Sequence, residues 1–338
     1  MRKGKEQIMV LGHHLELPFQ KDLTADQFVQ LIEDKRAVYY DLIDSGFSEP
    51  WEMGLQDGNP WLFGSKMGQK FPPGQRWGDT VLLQVSEKEA KFMHSFQLIG
   101  LLAAWKALEN SGVPTSLLHK TRTGIFVAGT ANFGNFESYP DETSLRGSLN
   151  SSLADRISYF LGTHGPSIAL ETACSSSLTA LTLACNAIKD GSCEVALVVG
   201  INANNREYEL ALQAAGVISK KGQCLPFDKE ADGTVRCEGN GCIVLASHTW
   251  TIRNKFLDSV KCQIVNATMG SAGAAPTARQ GSGRVYEQPN AQGMDVCFVL
   301  LLVCLLNLLG GSMKRHSNIY IWHAHAFQRI HVLQVWLK

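Results

Sequence analysis

The first 295 residues lack a long apolar run, a secretory leader, a regular disulfide framework and an excess of either charge. Each absence excludes a class of protein. With 31 basic and 31 acidic residues the formal net charge is zero, so there is no basic surplus of the kind that drives nucleic-acid binding. The charged start Met1-Arg-Lys-Gly-Lys-Glu-Gln is followed by an apolar stretch that stops at His13-His14, which is no signal-peptide core. Nine cysteines at irregular spacing suit reduced thiols in the cytoplasm better than staples. Charged residues are scarce at 18%, below the usual ~25%, whereas 45% are hydrophobic, enough for a large buried core and against intrinsic disorder.

What is present alternates between strand and helix signals. Ile8–Leu11 is a short apolar run closed by Gly12 and predicts a first strand. Thr24 with Gln27 is a capping box opening a helix through Phe28–Ile32, and residues 44–80, rich in Gly, Pro and Trp, predict an irregular excursion. Ser86 with Glu89 is a second capping box. It opens a helix with Phe92, Phe96, Ile99, Leu102 and Leu108 at helical spacing, stopped by Gly112. Gly124–Val127 predicts a strand and Leu153–Leu161 an amphipathic helix. Ile168–Leu170 then leads through Thr172-Ala173-Cys174 into a helix ended by Gly191, and Val195–Val199 is a wholly apolar strand. Unbroken apolar strands joined by helices predict an α/β fold with a parallel or mixed sheet covered on both faces.

The last 43 residues differ. Residues 296–338 contain no Asp or Glu and hold His316, His323, His325 and His331. Val296–Leu309, apolar except for Asn307, is shorter than the ~17–25 residues that span a bilayer. A foreign C-terminus is the favoured expectation, ahead of a buried helix or an interfacial segment contacting a membrane.

The most informative position is Cys174, where an apolar strand turns into a helix. A cysteine there meets the unpaired N–H groups and the dipole of the helix N-terminus. These favour thiolate and can stabilise an oxyanion formed at an attacked thioester carbonyl. The opposing expectation is a small buried hydrophobe, the ordinary fate of a cysteine in such a fold.

Thr172-Ala-Cys174-Ser-Ser-Ser-Leu178 resembles the active-site signature of the β-ketoacyl synthases, the ketosynthase domains of type I polyketide and fatty acid synthases. Phe92–Leu108, Arg122–Val127, Asp155–Tyr159, Gly216–Ser219, Pro226–Gly233 and Glu238-Gly239 resemble other family segments in the same order. The resemblance runs from about Ile8 to Ala246, and more weakly to Met294. It implies a thiolase-like, layered αβαβα fold in which the cysteine-bearing half is complete and the second half truncated. The expected organisation is a charged extension at 1–7, the ketosynthase N-terminal domain at 8–250, the start of the C-terminal half at 251–294 and a divergent tail at 295–338.

The implied reaction is decarboxylative Claisen condensation. An acyl group passes from an acyl carrier protein to Cys174, and malonyl-carrier protein supplies the two-carbon nucleophile. The substrates ride on carrier-protein phosphopantetheine and no resident cofactor is implied. The resemblance also implies a homodimer with the strand near Ala169–Ala173 at its two-fold interface. The family's two histidine segments, His-Gly-Thr-Gly-Thr and Asn-Ile-Gly-His, are absent from these 338 residues, as is its second Gly-rich oxyanion loop. His323 and His325, in Trp-His-Ala-His-Ala, match neither segment. Glu171 stands for the usual Asp, His94-Ser95 for Asp-Pro and Cys237 for Gly. The alternative to an enzyme is a non-catalytic, truncated ketosynthase-like protein that dimerises or binds carrier protein, or a variant held at a membrane by its tail.

Other motifs carry little. Cys237 and Cys242 lack a second pair at zinc spacing, Gly281–Arg284 lacks the Lys of a phosphate loop, and no Gly-x-Ser-x-Gly elbow accompanies Ser175–Ser177. Asn150 and Asn266 match glycosylation acceptors in sequence only.

Overall fold

The computed structural model describes residues 6–16, 83–86, 89, 93, 95–129, 146–147, 149–172, 175–202, 214, 216, 239–271, 318–324 and 329–337. Its elements in chain order begin with β1 (Ile8–Glu16), α1 (Ser95–Ser111), α2 (Thr115–Leu118), β2 (Thr123–Ala128), α3 (Ser152–Leu161) and β3 (Ser167–Leu170). They continue with α4 (Ser176–Asp190), β4 (Val195–Asn202), β5 (Gly239–Ser247), α5 (His248–Arg253), β6 (Cys262–Ser271), β7 (Asn318–Ala324) and β8 (Arg329–Leu337). The expected helix at 28–32, the excursion at 44–80 and the apolar run 296–309 lie outside the described residues.

The strands form one mixed sheet in the order β3-β2-β4-β5-β1-β6-β8-β7. β2 pairs in parallel with both β3 and β4, and the remaining pairings are antiparallel. The period of two distributes the apolar strands over two cores. Ile125, Val127, Leu197, Val199 and Val244 face α1 and α3, whereas Phe126, Val198, Ile243 and Leu245 face α4. A strand covered on both faces needs no polar alternate, which is why Val195–Val199 is unbroken in sequence. At the far end of α4, Gly191 adopts φ 83°, a left-handed cap that ends the helix where the sequence predicts.

The first strand departs from expectation. Gly12 does not stop β1; the register against β5 slips between Val10 and Gly12, and the strand continues to Glu16. The end of α1 abuts this bulge so closely that a Cβ on Gly12 would lie 2.5 Å from Ser111 Cβ. Glycine is therefore required there for approach, and the sequence signal of a stop is misleading. The second capping box is realised, with Glu89 N–H donating to Ser86 Oγ at 3.1 Å and Ser86 N–H to Glu89 Oε2 at 3.2 Å. The described helix α1 opens later, at Ser95, and Phe92 lies outside the described residues. β4 extends three residues past Val199, to Asn202.

The tail contributes strands that its sequence reading does not include. Residues 318–324 and 329–337 are strands, with β8 antiparallel to β6 and β7 antiparallel to β8, so the sheet continues through β6 into the C-terminal residues. Among the described residues, no helix is long and apolar enough to cross a membrane.

One side chain next to the bulge makes stability depend on pH. Burial, with the nearby Lys261 and His14, lowers the His13 pKa from 6.5 to about 4. As the pH falls the unfolded chain takes up this proton first, so stability is lost between about pH 6.5 and 4 and this contribution is flat outside that window. The shift corresponds to about 3 kcal/mol. Urea unfolding at pH 7.5 and pH 4.5 is expected to show a smaller acid-induced loss in His13→Phe than in the parent chain; equal losses would contradict the assignment.

Candidate functional site

β3 and α4 position the expected nucleophile. β3 runs parallel to β2, pairing Ile125 with Ser167 through Ala128 with Leu170, and ends the described sheet. Within five residues the chain passes from the end of β3 to Ser175, the N-cap of α4. Ala173 and Cys174 lie outside the described residues; Thr172 and Ser175 on either side are described.

These flanks are tied to one another. Ser175 N–H donates to the Thr172 carbonyl at 3.3 Å, and Ser175 Oγ donates to the same oxygen at 2.8 Å. Thr172 N–H donates to Ser176 Oγ at 2.7 Å, and Thr172 Oγ1 lies 2.8 Å from Ser175 Oγ and 3.0 Å from Thr179 Oγ1. Four hydroxyl residues thus lace a turn that begins before Cys174 and closes after it. The sequence contained Thr172, Ser175 and Ser176 in its signature but assigned them no role, and Thr179 was missed. The available signal was a hydroxyl at each of 172, 175, 176 and 179, a spacing that acquires meaning only once strand and helix meet.

The helix packs closely on the sheet below the turn. A Cβ on Gly200 of β4 would lie 2.9 Å from Ser177 Oγ, so α4 reaches β4 at glycine distance. Fifteen residues long, α4 has no acidic residue in its first turn, and its N-cap makes no side-chain capping bond. The general consequence is a positive helix end whose first N–H groups lack intrahelical acceptors.

The other described cysteines are of a different kind. Cys185, Cys193, Cys242 and Cys262 are buried free thiols. Burial pushes Cys185, Cys193 and Cys262 up to about 12, and raises Cys242 as well. They are protonated at neutral pH, hence poor nucleophiles. Cys237, His94, His325 and Gly281–Arg284 lie outside the described residues, and His323 falls in β7. Among the described residues, no three His, Cys, Asp or Glu side chains gather as a possible metal site.

The chain is similar to known proteins in sequence and in fold. The family description "Beta-ketoacyl synthase, N-terminal domain" matches residues 5–249. The chain is 33% identical over 274 residues to the polyketide synthase GfsA of Streptomyces halstedii, covering 72% of this chain and 4% of that protein. It is 32% identical over 252 residues to the polyketide synthase PksN of Bacillus subtilis, with the same two coverages. The chain therefore spans less than a tenth of these relatives. Among solved structures, the oxazolomycin ketosynthase domain OzmH KS7 of Streptomyces albus superposes with a TM-score of 0.76 at 22% identity, over 98% of this chain and 75% of that one. Ketosynthase twelve of the bacillaene polyketide synthase of Bacillus amyloliquefaciens gives 0.73 at 16% identity, with the same coverage. The elbow between β3 and α4 falls inside the matched span, and the chain belongs to the β-ketoacyl synthase family through that family's N-terminal domain, over roughly its first 250 residues.

Proposed function

We propose that this chain is the acyl-accepting half of a polyketide-type ketosynthase, with Cys174 as its nucleophile. The observation that carries this reading is the hydroxyl-laced turn that takes β3 into the uncapped N-terminus of α4 around residue 174. In the proposed step the Cys174 thiolate attacks the carbonyl carbon of an acyl thioester on carrier-protein phosphopantetheine. A C–S bond forms, the tetrahedral oxyanion is held by backbone N–H groups at the helix end, and the pantetheine C–S bond breaks. The departing thiolate takes up a proton, leaving the acyl group on Cys174.

Condensation needs more. Decarboxylating the malonyl thioester requires positioned donors, which the family's two histidine segments supply and these 338 residues lack. About a quarter of OzmH KS7 has no counterpart in this chain. The chain is accordingly proposed to load an acyl group and to stop there. The relatives named as polyketide synthases support an acyl carrier protein as partner. The place of β3 at the end of the described sheet, with Ile168 38% exposed, supports a second copy along that strand.

The test is thiol selectivity. Brief iodoacetamide treatment of the folded chain at pH 7.5, read by peptide mass spectrometry, should modify Cys174 first. Cys185, Cys193 and Cys262, with pKa about 12, hold only ~10⁻⁴–10⁻⁵ thiolate at that pH. Preferential modification of Cys237 or Cys297 would sink the proposal.

A further inference from the structure

We propose that Thr179, one turn inside α4, is a positioning residue for Cys174, its hydroxyl bracing the strand-to-helix turn from the helix side through Thr172; this rests on Cys174 being the nucleophile. The distances fix a direction, because each hydroxyl has one proton to give. Ser175 Oγ spends its proton on the Thr172 carbonyl at 2.8 Å. The Thr172 hydroxyl then donates to Ser175 Oγ at 2.8 Å, and Thr179 donates to Thr172 Oγ1 at 3.0 Å. The chain of bonds runs from inside the helix, to the residue two before Cys174, to the residue immediately after it.

A comparison within α4 sets Thr179 apart. Thr182 places its hydroxyl on the Leu178 carbonyl at 2.8 Å, the usual back-bond of a helical threonine. Thr179, 4% exposed, directs its hydroxyl out of the helix to the turn. Ser175 is equally atypical. An N-cap serine ordinarily accepts from an N–H in the first turn, whereas this one makes no capping bond and is engaged with Thr172. The hydroxyls therefore hold the turn and leave the helix end uncapped by a side chain, the arrangement that a thiolate and an oxyanion at residue 174 require. Removing the Thr179 hydroxyl leaves Thr172 tied only to Ser175 and Ser176 at the helix start, without the bond from one turn deeper, and so loosens the turn relative to the helix dipole.

The experiment measures the rate of Cys174 carboxamidomethylation against pH in the 338-residue chain and its variants. Thr179→Val, nearly isosteric, should slow the reaction about three- to tenfold, the equivalent of one intramolecular hydrogen bond, and move its pH midpoint upward. Thr179→Ser should restore both rate and midpoint, and Thr182→Val should match the parent. A purely structural role would lower the melting temperature without moving the midpoint. Should Thr179→Val not fold, Ser175→Ala cuts the same chain of bonds and is expected to slow the reaction likewise. A parent-like rate and midpoint in the folded Thr179→Val, or in Ser175→Ala in its place, overturns the proposal, as does failure of Thr179→Ser to restore them. Inertness of Cys174 in the parent chain instead overturns the nucleophile reading beneath it.

Discussion

Supplied with both acyl-carrier protein and malonyl-carrier protein, the chain is expected to gain one acyl group and to release no β-ketoacyl product. The two half-reactions ask for different groups. Loading needs a thiolate and an oxyanion donor, the roles proposed above for Cys174 and for the first N–H groups of α4. Decarboxylation builds negative charge on a second thioester, which positioned acid–base groups must stabilise, and such groups contribute ~10²–10⁴-fold each. Two missing histidines thus predict a condensation rate lower by about four to eight orders of magnitude. His323 and His325, in Trp-His-Ala-His-Ala, match neither of the family's histidine segments. Product appearing at an ordinary rate would show that other residues perform the decarboxylation.

Trp250→Ala should be among the most destabilising single substitutions in the described fold, at ~3–5 kcal/mol. The indole is fully buried and stacks on Phe256, with ring centroids 5.5 Å apart and planes 13° from parallel. Its Nε1–H donates to Thr121 Oγ1 at 3.1 Å, and its backbone N–H donates to Ser247 Oγ, the cap of α5, at 3.1 Å. One side chain thereby joins α5, the stretch leading into β2 and the Phe256 turn. Against the ~5–15 kcal/mol net stability of a typical domain, its removal is a large fraction. Trp250→Phe keeps most of the apolar surface and loses one donor. The Thr121 hydroxyl retains its bond to the Leu117 carbonyl at 2.9 Å, so the milder change should cost about 1 kcal/mol from the hydrogen bond itself, plus the packing lost with the smaller ring. Urea unfolding separates the cases, and equal midpoints for Trp250→Ala and the parent would contradict this account of the α5 packing.

The parts of the fold that were legible in sequence are those in which one signal acts alone. β2, α3, β3, α4 and β4 each combine a clean periodicity with a terminator, and they lie where expected to within a few residues. Gly12 was misread because glycine marks a stop, a bulge and a close approach alike, and only the end of α1 beside it distinguishes them. β5 was not read as a strand, since Gly239-Asn-Gly241 interrupts its apolar pattern; those residues are paired with β4 and buried. In the tail, absence of acids and abundance of histidine drew attention away from the β-branched and aromatic residues of Asn318–Ala324 and Arg329–Leu337. At the candidate site the sequence singles out Cys174 as an expectation, from a strand-to-helix junction and the family signature together, and residue 174 itself lies outside the described residues. The sequence could not isolate Thr179, because a bond from one turn inside a helix back to the preceding strand depends on how the two elements meet.

The acyl-enzyme itself is the most direct measure of the central claim. Incubation with an acyl-carrier protein, followed by digestion and mass mapping, should find the acyl mass on the peptide containing Cys174 and nowhere else, and no adduct in Cys174→Ala. An acyl group found on another cysteine, or an undiminished adduct in Cys174→Ala, would contradict it.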